Sequence, residues 1–554
     1  MLFWLLPAAF LGYFFYQPLV ALFTLFISPQ GGIVLGTLNP GQIWDPLWFT
    51  VAQAALSTLL TLAIGLPGAW LFTHFTFPGK GLLKVLTTLP FILPTVVVAA
   101  GFNALLGPKG WINLALMALF NLDGPPIQFL NTLGAILIAH IFYNTTIVIR
   151  VVSNAWSQQN IRLRQAAMAL GASPWRTFKE VTLPLLRPSI LAATLLVFLF
   201  DFTSFGVVLM LGGPGYATLE VEIYIQALHL LNLPLASVLS ILQLVCTLLI
   251  TVGHNRLTRQ RGLVLVPRAQ AIGARKPKNP WERVMVALMV LSLISLLIAP
   301  LAALALRSIV KLEPSRGERG QVERGFTLQF YRELSINRRN SLFYVPPIAA
   351  AGNSFIFAAV TILITLSLGT LVAYALRQRT AINTVLDPLL MLPLGASAIT
   401  LGLGFIIVFN QPPFSNFSFP ILMPIAHSLV ALPFIVRTLS PALQSIPDSL
   451  RNAARALGAS PWRVWREIDL PLLSPALIVS TIFALTISLG EFGASSFLSR
   501  PDYPTLPIAI FRYLSQPGAL NYGQAMAMST ILMLVCAGGI FLIERIQTHS
   551  KDEN

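Results

Sequence analysis

The chain has 554 residues, of which 55% are hydrophobic and only 10% charged, and its mean hydropathy is +0.75. A soluble domain carries roughly a quarter charged residues, so lipid is the solvent for most of this chain. The formal net charge of +16 does not point to nucleic acid, because the basic residues lie in short loops between apolar runs, the pattern of contact with an anionic cytoplasmic leaflet.

Apolar runs of roughly twenty residues or more, enough to cross a bilayer, lie near 4–27, 47–73, 83–107, 130–152, 184–212 and 230–254 in the first half. The second half has them near 284–306, 351–376, 385–409, 420–443, 472–499 and 521–544. Their length and the lack of period-two alternation predict an all-α membrane protein of twelve spans, not a barrel. The first run has no basic residue ahead of it and no clear small-residue cleavage site, so it is expected to be a retained span. Cys246 and Cys536 sit inside apolar runs and read as small apolar side chains, not as a disulfide.

Lys and Arg in the loops set the orientation. Arg162, Arg164, Arg176 and Lys179 fall in one loop, and Arg451, Arg455, Arg463 and Arg466 in another. A central basic linker, 256–283, carries Arg256, Arg259, Arg261, Arg268, Arg275, Lys276 and Lys278. All three face one side in the twelve-span arrangement, and the positive-inside rule makes that side cytoplasmic, together with both termini. The segment from Arg307 to Ala350 dissents. It has eight basic residues yet falls outside, partly offset by Glu313, Glu318, Glu323 and Glu333, and at over forty residues it resembles a small translocated domain. The domain organisation that follows is 1–255, the linker, and 284–554, with spanning cores at 47–254 and 351–544.

A stretch of twenty-six residues occurs twice, 287 positions apart: Gln165 to Ile190 and Asn452 to Leu477, with sixteen identities. The duplication extends further. Ala139, His140 and Arg150 recur as Ala426, His427 and Arg437, and Ser204-Phe205-Gly206 recurs as Glu491-Phe492-Gly493. Tyr216, Thr218 and Leu219 recur as Tyr503, Thr505 and Leu506. Upstream, Leu89-Pro90 and Gly101-Phe102 match Leu392-Pro393 and Gly404-Phe405 at a spacing of 303, which places an insertion in the outside segment 107–128. Two parallel halves of six spans suit a translocation path at their interface.

Polar loops normally drift freely. A loop held nearly constant in both halves is a contact surface for two copies of one partner. Ala166, Ala167, Ala169 and Leu170 favour a helix that Gly171 ends in the left-handed conformation. Ser173 before Pro174 suits an N-cap with proline at the first helical position, starting a second short helix. Trp175 and Trp462 supply apolar anchors and Arg176 and Arg463 charge, a mix typical of interface hot spots. The competing reading is an amphipathic helix on lipid headgroups, which would require neither the glycine nor the near-identity of the copies.

The pattern resembles the EAA loop of bacterial ABC importer permeases. It reads Ala166, Ala167, Gly171, Val181, Leu183 and Pro184 in one copy and Ala453, Ala454, Gly458, Ile468, Leu470 and Pro471 in the other. The leading acidic residue of that pattern is Gln165 here and Asn452 in the second copy. The resemblance covers nearly the whole chain and implies a type I ABC importer permease fold in a fused, duplicated form. It further implies two ATPase subunits docked on the loops, ATP bound by those subunits and not by this chain, and a binding protein that delivers solute outside, at the bacterial inner membrane. The fused architecture is similar to the ferric-iron and thiamine permeases, and Thr203-Ser204-Phe205-Gly206 through Leu211 to Glu220 looks closer to the thiamine type. Sulfate, molybdate, polyamine and phosphonate remain open. So does a secondary carrier, which would need coupling-ion residues in mid-membrane, where this chain is poor.

His140 and His427 lie at equivalent positions on apolar helices, where a structural hydrogen bond competes with gating or ligand contact. Asp201 and Glu491 are expected near the outer ends of spans five and eleven, where solute contact competes with a structural or gating pairing. Glu220 and Glu222, in LEVEIY, are expected outside, as a solvated face or a surface for a binding protein. No Gly-x4-Gly-Lys-Ser/Thr phosphate loop, no Cys/His cluster with metal-ligand spacing and no nucleophile–base pair is present in the sequence.

Overall fold

The computed structural model describes residues 2–28, 39–213, 215–259, 274–311, 325–336, 346–377, 380–410 and 419–552. Arg261 and Arg268 of the linker, and Glu313, Glu318 and Glu323 of the outer segment, lie outside the described residues. Among the described residues ten continuous helices are long and apolar enough to cross a membrane, and one bent pair makes up to eleven.

Two of the twelve expected runs are not continuous helices. The run at 83–107 is divided into Lys80–Leu86, Leu89–Ile92 and Thr95–Leu106. The run at 385–409 is divided into Ala381–Pro393 and Ala398–Phe409, bent by 92°. The physical reason is local. Leu93 precedes Pro94 and takes an extended conformation, as residues before proline do. In the second half the chain leaves the helix at Ala396, and Ser397 starts a new one by accepting from the Ile399 and Thr400 N–H groups. Pro94 and Ser397 are 303 positions apart, so both halves break at one equivalent place. Broken helices at membrane depth are tolerated where protein buries the freed backbone.

The leading helix of each half leans on the other half. Phe3–Ile27 buries Trp4, Leu11 and Phe15 among Leu390, Leu401, Phe405 and Leu422. Trp4 donates its indole N–H to the Asn383 amide oxygen at 2.8 Å. Pro18 packs so close to Gly404 that a Cβ there would lie 2.9 Å from the proline ring. The mirror contact is made by Pro280–Ile309, whose Pro300 carbonyl would stand 3.0 Å from a Cβ on Gly101. Gly101 and Gly404 are repeat partners, so the exchange is reciprocal.

Leu133–Ser157 and Pro420–Gln444 are the most buried of the spanning helices and occupy the middle of their halves. A Cβ on Gly65 would lie 2.6 Å from Val148 and one on Gly369 2.8 Å from Ile435, so each central helix lies tight against the long helix that precedes the divided run of its half, Gly41–His74 or Pro347–Leu376. The first-half insertion contains a helix, Trp111–Phe120, pinned by Asn113 to the Gly107 and Ile127 backbone at 2.9 Å each. In the segment from Arg307 to Ala350, Val310–Lys311 pairs antiparallel with Gly325–Phe326, and Arg307 is buried with its guanidinium over the Tyr522 ring.

Candidate functional site

The two repeat loops fold into knobs built from the same turn and the same cap. In the first, the helix Ile161–Ala169 ends at Leu170, and Gly171 turns the chain with φ +84°. Gly171 N–H donates to the Met168 carbonyl at 3.0 Å and Ala172 N–H to the Ala167 carbonyl at 3.1 Å, a Schellman pair. In the second, Asp448–Ala456 ends at Gly458, again with φ +84°. Gly458 N–H donates to Arg455 at 2.9 Å and Ala459 N–H to Ala454 at 3.0 Å. Only glycine accepts this backbone without strain. Ser173 and Ser460 then accept from the Arg176 and Arg463 N–H groups, capping the next helix.

That next helix is not a separate element. Pro174–Thr177 runs through the wide turn Phe178–Thr182 into Leu183–Phe202, and Pro461–Val464 runs through Trp465–Asp469 into Leu470–Gly490. Leu183 with Pro184 and Leu470 with Pro471 therefore mark the join between knob and span. Each knob is continuous with a membrane helix, which makes it a lever.

The knob surfaces are apolar and open. Leu170 and Leu457 are each 89% exposed, Trp175 71% and Trp462 66%. Trp175 stacks on Phe178 at 5.8 Å and Trp462 on Trp465 at 4.8 Å, so each indole is fixed at the surface. Ala166 and Ala453 are exposed beside them. Arg176 and Arg463 are paired with Glu180 and Glu467 one helical turn on, at 3.1 and 3.0 Å, so each presents a half-neutralised charge.

The anchorage beneath the knobs differs. Arg451 is 2% exposed and bonds Asp469 at 2.6 Å and Asp448 at 3.2 Å. The Tyr374 hydroxyl donates to Asp469 at 2.8 Å, and Arg377 reaches Asp448. Burial and the neighbouring Arg451 hold Arg377 below the usual arginine range. In the first half Arg451 corresponds to Arg164, which is half-buried, and Asp469 to Thr182, whose backbone carbonyl accepts from Gln159 at 3.2 Å.

The membrane acids and histidines come together, in a way that alignment of the acids alone does not show. His140 touches the Ser204 hydroxyl at 2.8 Å and the Asp201 carboxylate at 3.4 Å. His427 touches the Ser488 hydroxyl at 2.8 Å and the Glu491 carboxylate at 3.4 Å. Asp201 is the repeat partner of Ser488, and Ser204 of Glu491. At each histidine one serine and one acid stand three residues apart, with the order exchanged, and His427 also touches the Ser495 hydroxyl at 3.0 Å. Asn144 further donates to Asp201 at 2.6 Å. Glu491 accepts from the Ala494 and Ser495 N–H groups, capping the helix Gly493–Leu498.

The expectation that Glu220 faces outside is overturned. Its side chain is buried, taking a hydrogen bond from Gln243 at 2.5 Å. The helix Leu219–Tyr224 that carries it packs mainly on Leu233–Arg259 of its own half and also touches Ala398–Phe409 of the second, which alternation in LEVEIY does not reveal. Glu222 is half-buried and accepts from Gln226 at 2.7 Å.

Residues 31–262 and 365–550 match the family described as binding-protein-dependent transport system inner membrane component, in two segments that together cover most of the chain. The chain belongs to that family. It is a duplicated permease of an ATP-driven importer, a multi-pass protein of the inner membrane, and its family works with ATPase and binding-protein partners. The permease is 28% identical over 516 residues to a probable ABC transporter permease protein of Sinorhizobium fredii, covering 92% of this chain and 88% of that one. It is 28% identical to the thiamine transport system permease protein of Haemophilus influenzae, covering 88% and 86%. With the protein of the same name in Escherichia coli the figures are 27%, 91% and 89%. A solved chain of a bacterial ABC transporter for import of the polysaccharide alginate aligns with 47% of this chain and 94% of its own, at TM-score 0.39 and 20% identity.

Proposed function

We propose that the permease carries two copies of one ATPase subunit, one on each knob, and passes thiamine received from an extracytoplasmic binding protein. The observation that carries this reading is the pair of equal knobs, each with a Schellman glycine, a capped turn and a stacked indole. Equal surfaces on one chain call for two equal partners. ATP is held by those partners, and their closure rocks the halves through the levers into which the knobs run. With the knobs facing the ATPases, both termini lie in the cytoplasm. The thiamine assignment is supported by relatives named for thiamine transport that align over nearly the whole length.

Native mass spectrometry of the purified complex tests the arrangement. One permease with two ATPase subunits is expected, falling to one ATPase in Trp175→Ala or Trp462→Ala and to none in the double variant. A stable wild-type complex with a single ATPase would overturn it. Uptake of radiolabelled thiamine into vesicles holding permease, ATPase and binding protein tests the solute.

A further inference from the structure

The two halves meet on equivalent aromatic side chains. Phe205 and Phe492 are repeat partners, and their rings stack face to face, 5.6 Å between centroids and 24° between planes. A contact between equivalent residues of two related halves lies on the axis that relates them. Each ring is backed by another equivalent pair: Phe205 by Tyr224 at 5.3 Å and Phe492 by Phe511 at 5.4 Å. Both stacked rings are buried.

The breaks in the two divided helices converge here. A Cβ on Gly206 would strike the Thr95 hydroxyl at 2.3 Å and the Phe492 ring at 3.2 Å, and one on Gly493 would meet Ala398 at 3.0 Å. Gly490 of the second half packs on Pro94 of the first. Thr95 and Ala398 start the helices after the two breaks. The stack is therefore ringed by helix breaks, the arrangement in which transporters place the solute path.

Polar groups lie on the same ring. Glu220, four residues before Tyr224, bonds Gln243 and the Ser397 hydroxyl at the second break and lies within electrostatic reach of Glu491. Among the described residues Glu220 has no basic partner. The amide oxygen of Gln243 and the hydroxyl of Thr400 are buried without a hydrogen-bond partner. A buried carboxylate lacking a cation, unused acceptors and facing aromatic rings together suit a flat, positively charged solute.

We propose that the Phe205–Phe492 stack is the closed constriction of the translocation path, and that its parted rings with Glu220 form a transit site for a planar aromatic cation. The solute class rests on the thiamine reading; the constriction does not.

The test uses the complete complex in vesicles and two readouts. Passive efflux of preloaded tetramethylammonium reads the constriction without any binding protein. Phe205→Ala with Phe492→Ala is expected to raise it several-fold; wild-type efflux from that variant would overturn the constriction. ATP-driven uptake of radiolabelled thiamine, at saturating loaded binding protein, reads the transit site. Phe205→Leu with Phe492→Leu keeps the core filled and efflux low but removes the ring faces, and uptake is expected to fall about tenfold. Tyrosine at both positions is expected to restore it, and Glu220→Gln to lower it. Unchanged uptake in the leucine pair would overturn the transit site. A wild-type complex that imports no thiamine, with an alanine pair that leaks, would overturn the solute class and leave the constriction standing.

Discussion

Gly171 and Gly458 hold the same φ, the same pair of Schellman bonds and the same serine cap after them, yet the helices they end are fastened in different ways. The second knob stands on a buried ion pair, Arg451–Asp469, reinforced by Tyr374. The first has Arg164 and Thr182 at those places. What the duplication has held equal is the outward face and its turn; what it has let diverge is the mount underneath. A surface read by one partner constrains every exposed atom, whereas an anchor has only to hold, and several chemistries can do that.

The comparison is broken most severely by proline at the glycines. At φ +84° proline is excluded by its ring, and it deletes the N–H that Gly171 and Gly458 donate into their helices. A cost of about 3 kcal/mol or more is enough to undo the turn. Gly171→Pro with Gly458→Pro is expected to insert normally and to abolish ATP-dependent uptake. Normal uptake by the double variant would remove the knobs from the coupling path.

The mounts are separated by the next test. Arg451→Met leaves Asp469 buried without its cation, a loss of about 3–5 kcal/mol for a buried pair that keeps one partner. Arg164→Met is expected to cost less than about 1 kcal/mol. Melting of the purified variants in detergent measures both, and equal shifts would erase the distinction. Thr182→Asp sharpens it from the other side: the chain should melt higher with Arg164 present and not with Arg164→Met.

The histidine sites allow an exchange within the chain. Asp201→Ser and Ser204→Glu, made together, give the first half the order found in the second. Each alone is expected to cost about 1–3 kcal/mol, by leaving a buried polar group poorly matched. The pair should recover about 1 kcal/mol of the sum, since both side chains face His140. Strict additivity in a double-mutant cycle of melting temperatures would show that the two sites are not interchangeable.

These sites differ in how far the sequence reveals them, for a physical reason. The glycine turn and serine cap are local, written within six residues, and are legible from propensity alone. The helix breaks are half-legible: Pro94 and Pro393 are visible, but an apolar run does not say whether its proline is a kink or a gap. The acid–serine exchange depends on residues three apart sharing one helical face, so position-by-position alignment pairs Glu491 with Ser204 and hides it. Placing His140 and His427 opposite that face would have found it. Glu220 is buried because Leu233–Arg259 of its own half and the segment at Ser397 of the other pack over it, and no periodicity within LEVEIY encodes either neighbour.

The smallest expected effect tests the claim of equal surfaces. Arg176–Glu180 and Arg463–Glu467 are exposed ion pairs one turn apart, a geometry that contributes at most about 0.5 kcal/mol to the fold. Arg176→Ala and Arg463→Ala should therefore leave melting unchanged. Each removes a cation beside an exposed indole and frees a carboxylate, which alters the charge presented to a docked subunit. ATPase affinity is expected to fall a few-fold for either variant, more at low salt than at high, because exposed charges are screened beyond a Debye length of about 10 Å at 0.1 M. Equal losses at the two positions support one partner reading one surface twice. A loss confined to one position would place the divergence of the halves in the surface as well as in the mount.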